Sequence, residues 1–297
     1  MESLFKMNYI KYPINFLSLP EPLSNFKDSR VTILPVPYEM TTTFNQGTKK
    51  GPKAIIENSA GIMWYDDEIG KNISDVGICT LEELKAENEP ESMINAIYQK
   101  VKEIIKNNKF PVIIGGEHTI TQGCVKAAAE EYKNLSVLQV DAHTDLADEW
   151  DDTKYSHACA GKRCFEITKK IVPVGIRCLE KEEAEFAEKN SIKIFYARDI
   201  VDNDEWHDDA IAGLSDNVYI TIDLDGFDPS IMPSVGNPEP GGLQYYPTLK
   251  FLKRVFNEKN VVGFDVVELC PDEKEVSSDF TAAKIIYKLI GYKFCQK

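Results

Sequence analysis

Seven short runs along the chain are apolar on consecutive positions and rich in β-branched residues: VTILPV (31–36), FPVIIGG (110–116), SVLQV (136–140), IVPVGI (171–176), IKIFYA (192–197), VYITIDLD (218–225) and VVGFDVVEL (261–269). A strand with one wet face alternates apolar and polar residues, so these runs predict strands buried on both faces. Helical patterns lie between them. The clearest runs from Pro90 to Asn108, with Met93, Ile94, Ile97, Val101, Ile104 and Ile105 on one stripe and the proline suited to a first turn. Further stripes cover 120–133, 180–190, 248–258 and 279–291. Strand and helix alternating in this way predict the α/β class, with a mainly parallel central sheet and helices on both faces. No Ser/Gly-rich linker, low-complexity tract or repeat interrupts the pattern, so residues 1–297 read as a single domain. Ligands of such sheets bind beyond the carboxyl ends of the strands.

That is where residues of metal-ligand type gather. FPVIIGG runs into Glu117 and His118, SVLQV into Asp141, His143 and Asp145, and VYITI into Asp223 and Asp225. Three of the four histidines (118, 143 and 157) fall within 40 residues. Held extended, DAHTD and DLD would present alternate side chains to one point. Four carboxylates and two imidazoles make a mixed oxygen and nitrogen donor set that suits Mn²⁺ and similar ions. Six ligands exceed what one tetrahedral ion uses, so two ions about 3.5 Å apart, sharing an activated water, are the economical reading. A lone Asp at a strand end is more often a cap or turn residue. Burying this many carboxylates without cations, however, would cost several kcal/mol each.

Composition narrows the classes. The 34 Lys+Arg and 48 Asp+Glu leave a formal charge of −14, which repels polyanions and argues against nucleic acid as a partner. No apolar run approaches the roughly 20 residues of a membrane span, and MESLFKMNYIKYP lacks the order of a signal peptide, so a cytoplasmic protein is expected. Seven cysteines without a CxxC read as reduced structural thiols. Two rival motifs fail on position. DLDGFD superficially matches an aspartyl-phosphatase turn, which normally opens its domain, and no histidine follows His207 to complete a calcineurin-type set.

GGEHTI (115–120), DAHTDL (141–146), SHA (156–158), DLDGFDPSIMPSVGNPEPGGL (223–243) and DVVELCP (265–271), with TTFNQGTKKGPKAIIENS (42–59), together resemble the ureohydrolase superfamily of arginases and agmatinases, agmatinases most. The resemblance implies a three-layer α/β/α sandwich and two Mn²⁺ per subunit. It implies that His118, Asp141, Asp145 and Asp223 hold one ion and that Asp141, His143, Asp223 and Asp225 hold the other. It also implies that Glu268 pairs with the guanidinium, that Asp145 and His157 move protons, and that the subunits form a homotrimer or homohexamer. Glu117 and Thr119 stand where relatives more often have Asp and Ser, and are expected just behind the ligands.

Arginases read an α-carboxylate with residues between the DAHxD segment and the histidine loop. Here that stretch holds Asp148, Glu149, Asp151 and Asp152, which should repel a carboxylate and attract a cationic tail. Agmatine, a small cationic guanidino substrate, is therefore expected, giving urea and putrescine for polyamine formation. Guanidinobutyrate, arginine, formimidoylglutamate or a catalytically silent guanidine-binding role are the alternatives. His207, among Asp204, Glu205, Asp208 and Asp209, is expected on a solvated helix face.

Overall fold

The computed structural model describes residues 7–295. The outermost residues of the 1–297 reading, and the start of MESLFKMNYIKYP, lie outside the described residues. Ten strands form: β1 (Val31–Val36), β2 (Tyr65–Asp66), β3 (Lys71–Asn72), β4 (Ile78–Thr80), β5 (Phe110–Gly115), β6 (Leu135–Val140), β7 (Ile171–Ile176), β8 (Phe195–Tyr196), β9 (Asn217–Asp223) and β10 (Asn260–Val267). Eight of them make one sheet in the order β4-β1-β5-β10-β9-β6-β7-β8, and β2 and β3 form a separate antiparallel ribbon. Every pairing in the large sheet is parallel.

The helices are α1 (Glu21–Ser24), α2 (Gly51–Ser59), α3 (Pro90–Lys106), α4 (Thr121–Glu131), α5 (Ala160–Thr168), α6 (Lys181–Lys189), α7 (Ala197–Ile200), α8 (His207–Gly213), α9 (Tyr245–Glu258) and α10 (Ser277–Phe294). They cover both faces of the sheet. Val112 and Ile114 of β5 pack in one apolar cluster with residues of α2, α9 and α10, while Ile113 packs in the other with residues of α3 and α4. Each strand is therefore apolar on successive positions because both of its faces are dry. The expected three-layer α/β/α sandwich is the fold observed.

Local differences have local causes. IKIFYA yields only the two-residue strand β8, because Ile192 is drawn back onto the end of α6, its N–H bonding the Ala187 carbonyl at 2.9 Å. Strand β4 and the β2/β3 ribbon are too short to show a period. His207 is buried, not solvated: its ring sits edge-on to Trp206 with centroids 4.5 Å apart and lies 5.1 Å from Phe251. The acids around it face outward, where Arg254 pairs with Asp208 and Lys250 with Asp204. No helix among the described residues is long and apolar enough to cross a membrane. All seven cysteines are free.

Candidate metal centre and active-site cavity

Strand order brings the chemistry together. β5, β10, β9 and β6 are consecutive in the sheet, and their carboxyl ends deliver His118, Glu268, Asp223 with Asp225, and the 141–145 segment, respectively. After β5 the chain bends at Gly116, whose N–H bonds the Val36 carbonyl and where a Cβ would run into the Tyr38 backbone. That bend starts the turn carrying His118. Gly226 lets the DLDG turn lie against β6, since a Cβ there would sit 2.8 Å from the Asp141 nitrogen.

The segments do not converge by staying extended, as expected from sequence. β6 stops at Val140 and Asp145 takes φ 51°, while β9 stops at Asp223 and residues Leu224–Gly226 coil into a 3-10 turn. The Asp225 N–H bonds Asp223 Oδ1 at 3.0 Å across that turn. Glu268 also sits in the left-handed region, at φ 65°. Such conformations cost non-glycine residues about 1–3 kcal/mol and concentrate at functional sites.

The six proposed ligands meet. His118 Nδ1 lies 2.8 Å from Asp145 Oδ2, 3.2 Å from Asp141 Oδ2 and 3.4 Å from Asp223 Oδ2. His143 Nδ1 lies 3.1 Å from Asp225 Oδ2 and 3.7 Å from Asp141 Oδ1. Donor atoms of His118, Asp141 and Asp223 form one group of metal-binding dimensions and those of Asp141, His143 and Asp225 a second, with Asp141 common to both. Although buried among three carboxylates, His118 Nδ1 makes no hydrogen bond of acceptable geometry. An orphaned nitrogen aimed at a point shared by carboxylate oxygens fits a cation there.

The electrostatics agree. Burial, reinforced by the Asp141 charge, pushes Asp145 up to about 6. Burial and the charges of Asp225, Asp141 and Glu268 drive Asp223 well above the usual carboxylate range. Divalent cations at this point reverse that cost.

Glu268 and His157 stand beside the centre. Glu268 Oε1 accepts the His118 backbone N–H at 2.7 Å and lies 3.6 Å from His157 Nδ1. Burial opposes charge on His157, but Glu268, helped by Asp145 and Glu117, outweighs it and pushes the imidazole up to about 8. The His157 N–H bonds Thr41 Oγ1 at 2.9 Å, and Thr41 in turn donates to Glu117 at 2.8 Å. Glu117 thus acts through the 38–41 segment, where it also takes the Met40 and Thr41 N–H groups, and does not touch the ligands. Thr119 follows it, its hydroxyl 3.3 Å from that of Thr41.

A cavity of about 360 Å³ opens onto the centre, lined by His143, Asp145, His157, Asp223, Asp225 and Glu268 and also by Phe44, Trp150, Glu180 and Glu239, the last with a carboxylate oxygen within 4.8 Å of a His143 ring nitrogen and of Cys178 Sγ. None of its lining residues is lysine or arginine. Asp148, Glu149, Asp151 and Asp152 do not line it, contrary to expectation. Asp148 pairs with Lys162 and Arg163, and Asp151 and Asp152 occupy φ 49° and 60° between the bridged Trp150 and Thr153. Positive φ at both central residues is a hairpin-turn requirement that Asp tolerates. The acids build the turn that puts Trp150 at the rim.

The Arginase family model matches residues 29–291. The chain belongs to the arginase family. It is 38% identical over 288 residues to the N(1)-aminopropylagmatine ureohydrolase of Synechocystis sp., covering 94% of each chain. It is 30% identical over 282 residues to the agmatinase of Pyrococcus horikoshii, covering 94% of this chain and 98% of that one. The solved agmatine ureohydrolase of Thermoplasma volcanium superposes with a TM-score of 0.84 at 27% identity over 92% of each chain. Members of the arginase family, the ureohydrolases, are binuclear-metal hydrolases, in keeping with the two adjoining donor groups of this member.

Sequence reasoning missed the supports of this arginase-family site. Gln139 Nε2 donates to Asp141 Oδ2 at 2.8 Å. Glu183 takes the Thr144 hydroxyl and the Leu146 N–H at 2.8 and 2.7 Å, holding the segment after Asp141. Arg177 donates to the carbonyls of Gly175, Asp225, Gly226, Phe227, Glu239 and Pro240, tying β7 to the DLDG loop. A polar residue inside an apolar strand was the available signal for Gln139. Nothing local marked Glu183 or Arg177.

Proposed function

We propose that this protein is a manganese-dependent ureohydrolase that removes urea from a guanidino-polyamine, with N1-aminopropylagmatine as its substrate and agmatine as the second reading. The carrying observation is the cavity wall, which holds seven carboxylates and no lysine or arginine. Arginine, guanidinobutyrate and formimidoylglutamate would each bring a carboxylate into this anionic site with no cation to meet it. Arg177, nearby, is committed to backbone carbonyls. Agmatine lacks the carboxylate. The aminopropyl extension adds a second ammonium, for which Glu180 and Glu239 on the cavity wall are complementary, and relatives at 36–38% identity bear that substrate's name.

His118, Asp141, Asp145 and Asp223 would hold one ion, and Asp141, His143, Asp223 and Asp225 the other. Bound there, the pair would supply Lewis-acid activation of water at neutral pH. Glu268, held by the His118 N–H, orients the guanidinium through charge-assisted hydrogen bonds. Asp145 accepts the proton released on attack and passes it to the departing amine, and His157 exchanges protons with solvent. Water and the guanidinium become urea and the free amine: spermidine from N1-aminopropylagmatine, putrescine from agmatine.

Urea release tests this, measured with N1-aminopropylagmatine, agmatine, arginine and guanidinobutyrate, with added Mn²⁺ and after chelation. We expect kcat/KM highest for N1-aminopropylagmatine, with agmatine next and negligible turnover of the two acids. Fastest turnover of a carboxylate substrate overturns the specificity argument. No urea from any of them leaves a silent guanidine-binding protein.

A further inference from the structure

Thr221 and Asp265 are polar residues inside the two most central apolar strands, and no chemistry assigned above uses them. Parallel pairing of β9 with β10 places them directly side by side. Both are buried, with Asp265 fully inaccessible. The Thr221 hydroxyl donates to Asp265 Oδ1 at 2.6 Å, and the Thr221 oxygen lies 2.9 Å from His118 Nε2. Thr221 is two residues before Asp223 and so faces the same side of the sheet as that carboxylate.

We propose that Asp265 and Thr221 form a relay that fixes the tautomer and the orientation of His118. A hydroxyl has a single proton. With it committed to Asp265, the Thr221 oxygen can only accept from His118, so the imidazole carries its proton on Nε2. The Nδ1 lone pair then faces Asp141, Asp145 and Asp223, and that atom is the one buried without a hydrogen bond. The opposite tautomer would aim an N–H at the cation position and forbid ligation. Thr121, whose hydroxyl is 3.3 Å from that of Thr221, makes the longer and weaker contact. Asp265 and Thr221 are thus positioning residues for one ion of the pair, and the inference rests on the two-cation reading of the site. His143, on the other ion, has no part in this chain of hydrogen bonds.

The test is Mn²⁺ titration of the chelator-stripped protein, with free ion read by EPR, for wild type, Thr221→Val, Thr221→Ser and Asp265→Asn. Thr221→Val keeps shape but removes the hydroxyl, and should weaken one of the two ions by about 10–100-fold while the other binds as before. Thr221→Ser should bind both within about threefold of wild type. Asp265→Asn, whose amide can donate to Thr221 and turn its hydroxyl toward His118, should behave like Thr221→Val. Melting of the stripped proteins checks folding, and ¹⁵N-histidine spectra of the Zn²⁺-loaded wild type should show His118 protonated at Nε2. Wild-type binding of both ions by Thr221→Val or Asp265→Asn overturns the relay. So does equal loss in Thr221→Ser and Thr221→Val, or a His118 protonated at Nδ1. Ion binding is read without any substrate, so failure here leaves the guanidine reading standing, and failure of every guanidine leaves this one standing.

Discussion

Replacing Glu268 by Gln isolates charge from shape at the position assigned to the guanidinium. Glu268 is buried, 4% exposed, and one carboxylate oxygen already accepts the His118 N–H at 2.7 Å. A Gln carbonyl can keep that bond, so the turn at φ 65° and the His118 ligand should stay in place. What changes is the remaining oxygen, which becomes an NH₂ facing the N–H groups of the substrate. A hydrogen bond to a charged group is worth about 1.5–3 kcal/mol, and loss of one buried charged partner costs about 2–5 kcal/mol. We take about 3–5 kcal/mol for this site, which at 1.4 kcal/mol per decade is a fall in kcat/KM of roughly 10²–10⁴-fold. Urea release under substrate-limiting conditions measures it, with Mn²⁺ stoichiometry determined on the same preparation. Two ions retained with activity lost is the expected pair of results. Near-wild-type kcat/KM would refute the role of the charge, and loss of the ions would show that Glu268 supports the centre and not the substrate.

Three further outcomes follow from the same geometry. Asp141→Ala removes the carboxylate common to both donor groups and should cost both ions and all urea release together, as metal analysis and assay would show; retention of two tightly held ions contradicts the shared role. Arg177→Met leaves six carbonyls without their guanidinium donor and should lower stability by about 3 kcal/mol, seen as a fall of several degrees in Tm, whereas an unchanged melt would mean that the loops do not need it. His157, raised from its ordinary 6.5 to about 8, gives the chelated protein stability that is fully present below about pH 6.5 and lost as pH rises through about 8. The wild-type advantage over His157→Asn in urea denaturation should therefore shrink between pH 6 and 9, and an advantage growing over that range reverses the sign.

The sheet was readable from the chain because both its faces are dry: β1 and β7 coincide with VTILPV and IVPVGI, since such a strand is built mostly of consecutive apolar residues, Thr32 being the one polar side chain in the two. The donor residues were readable too, because, although a single Asp at a strand end is commonly a cap or turn residue, this many Asp, His and Glu gathered at the ends of apolar runs are not. Their number and type already required positive charge between them. What the chain did not reveal was how they meet. The alternation of an extended DAHTD was the wrong device. Convergence comes instead from strand order, which sets β5, β10, β9 and β6 side by side, and from left-handed turns at Asp145 and Glu268 that only surrounding packing can hold. The acids at 148–152 misled because charge density along the chain says nothing about which way a turn points; Glu180 and Glu239, 59 positions apart, became neighbours of the cavity only after folding. Local pattern thus marked most buried strand and helix positions and the residue types able to do the chemistry, because apolar runs and residue identity are read along the chain; it missed the burial of His207, which packing against Trp206 and Phe251 decides. Tertiary structure alone decided their distances, hydrogen-bond partners and access, because these depend on contacts between segments that no period along the chain records.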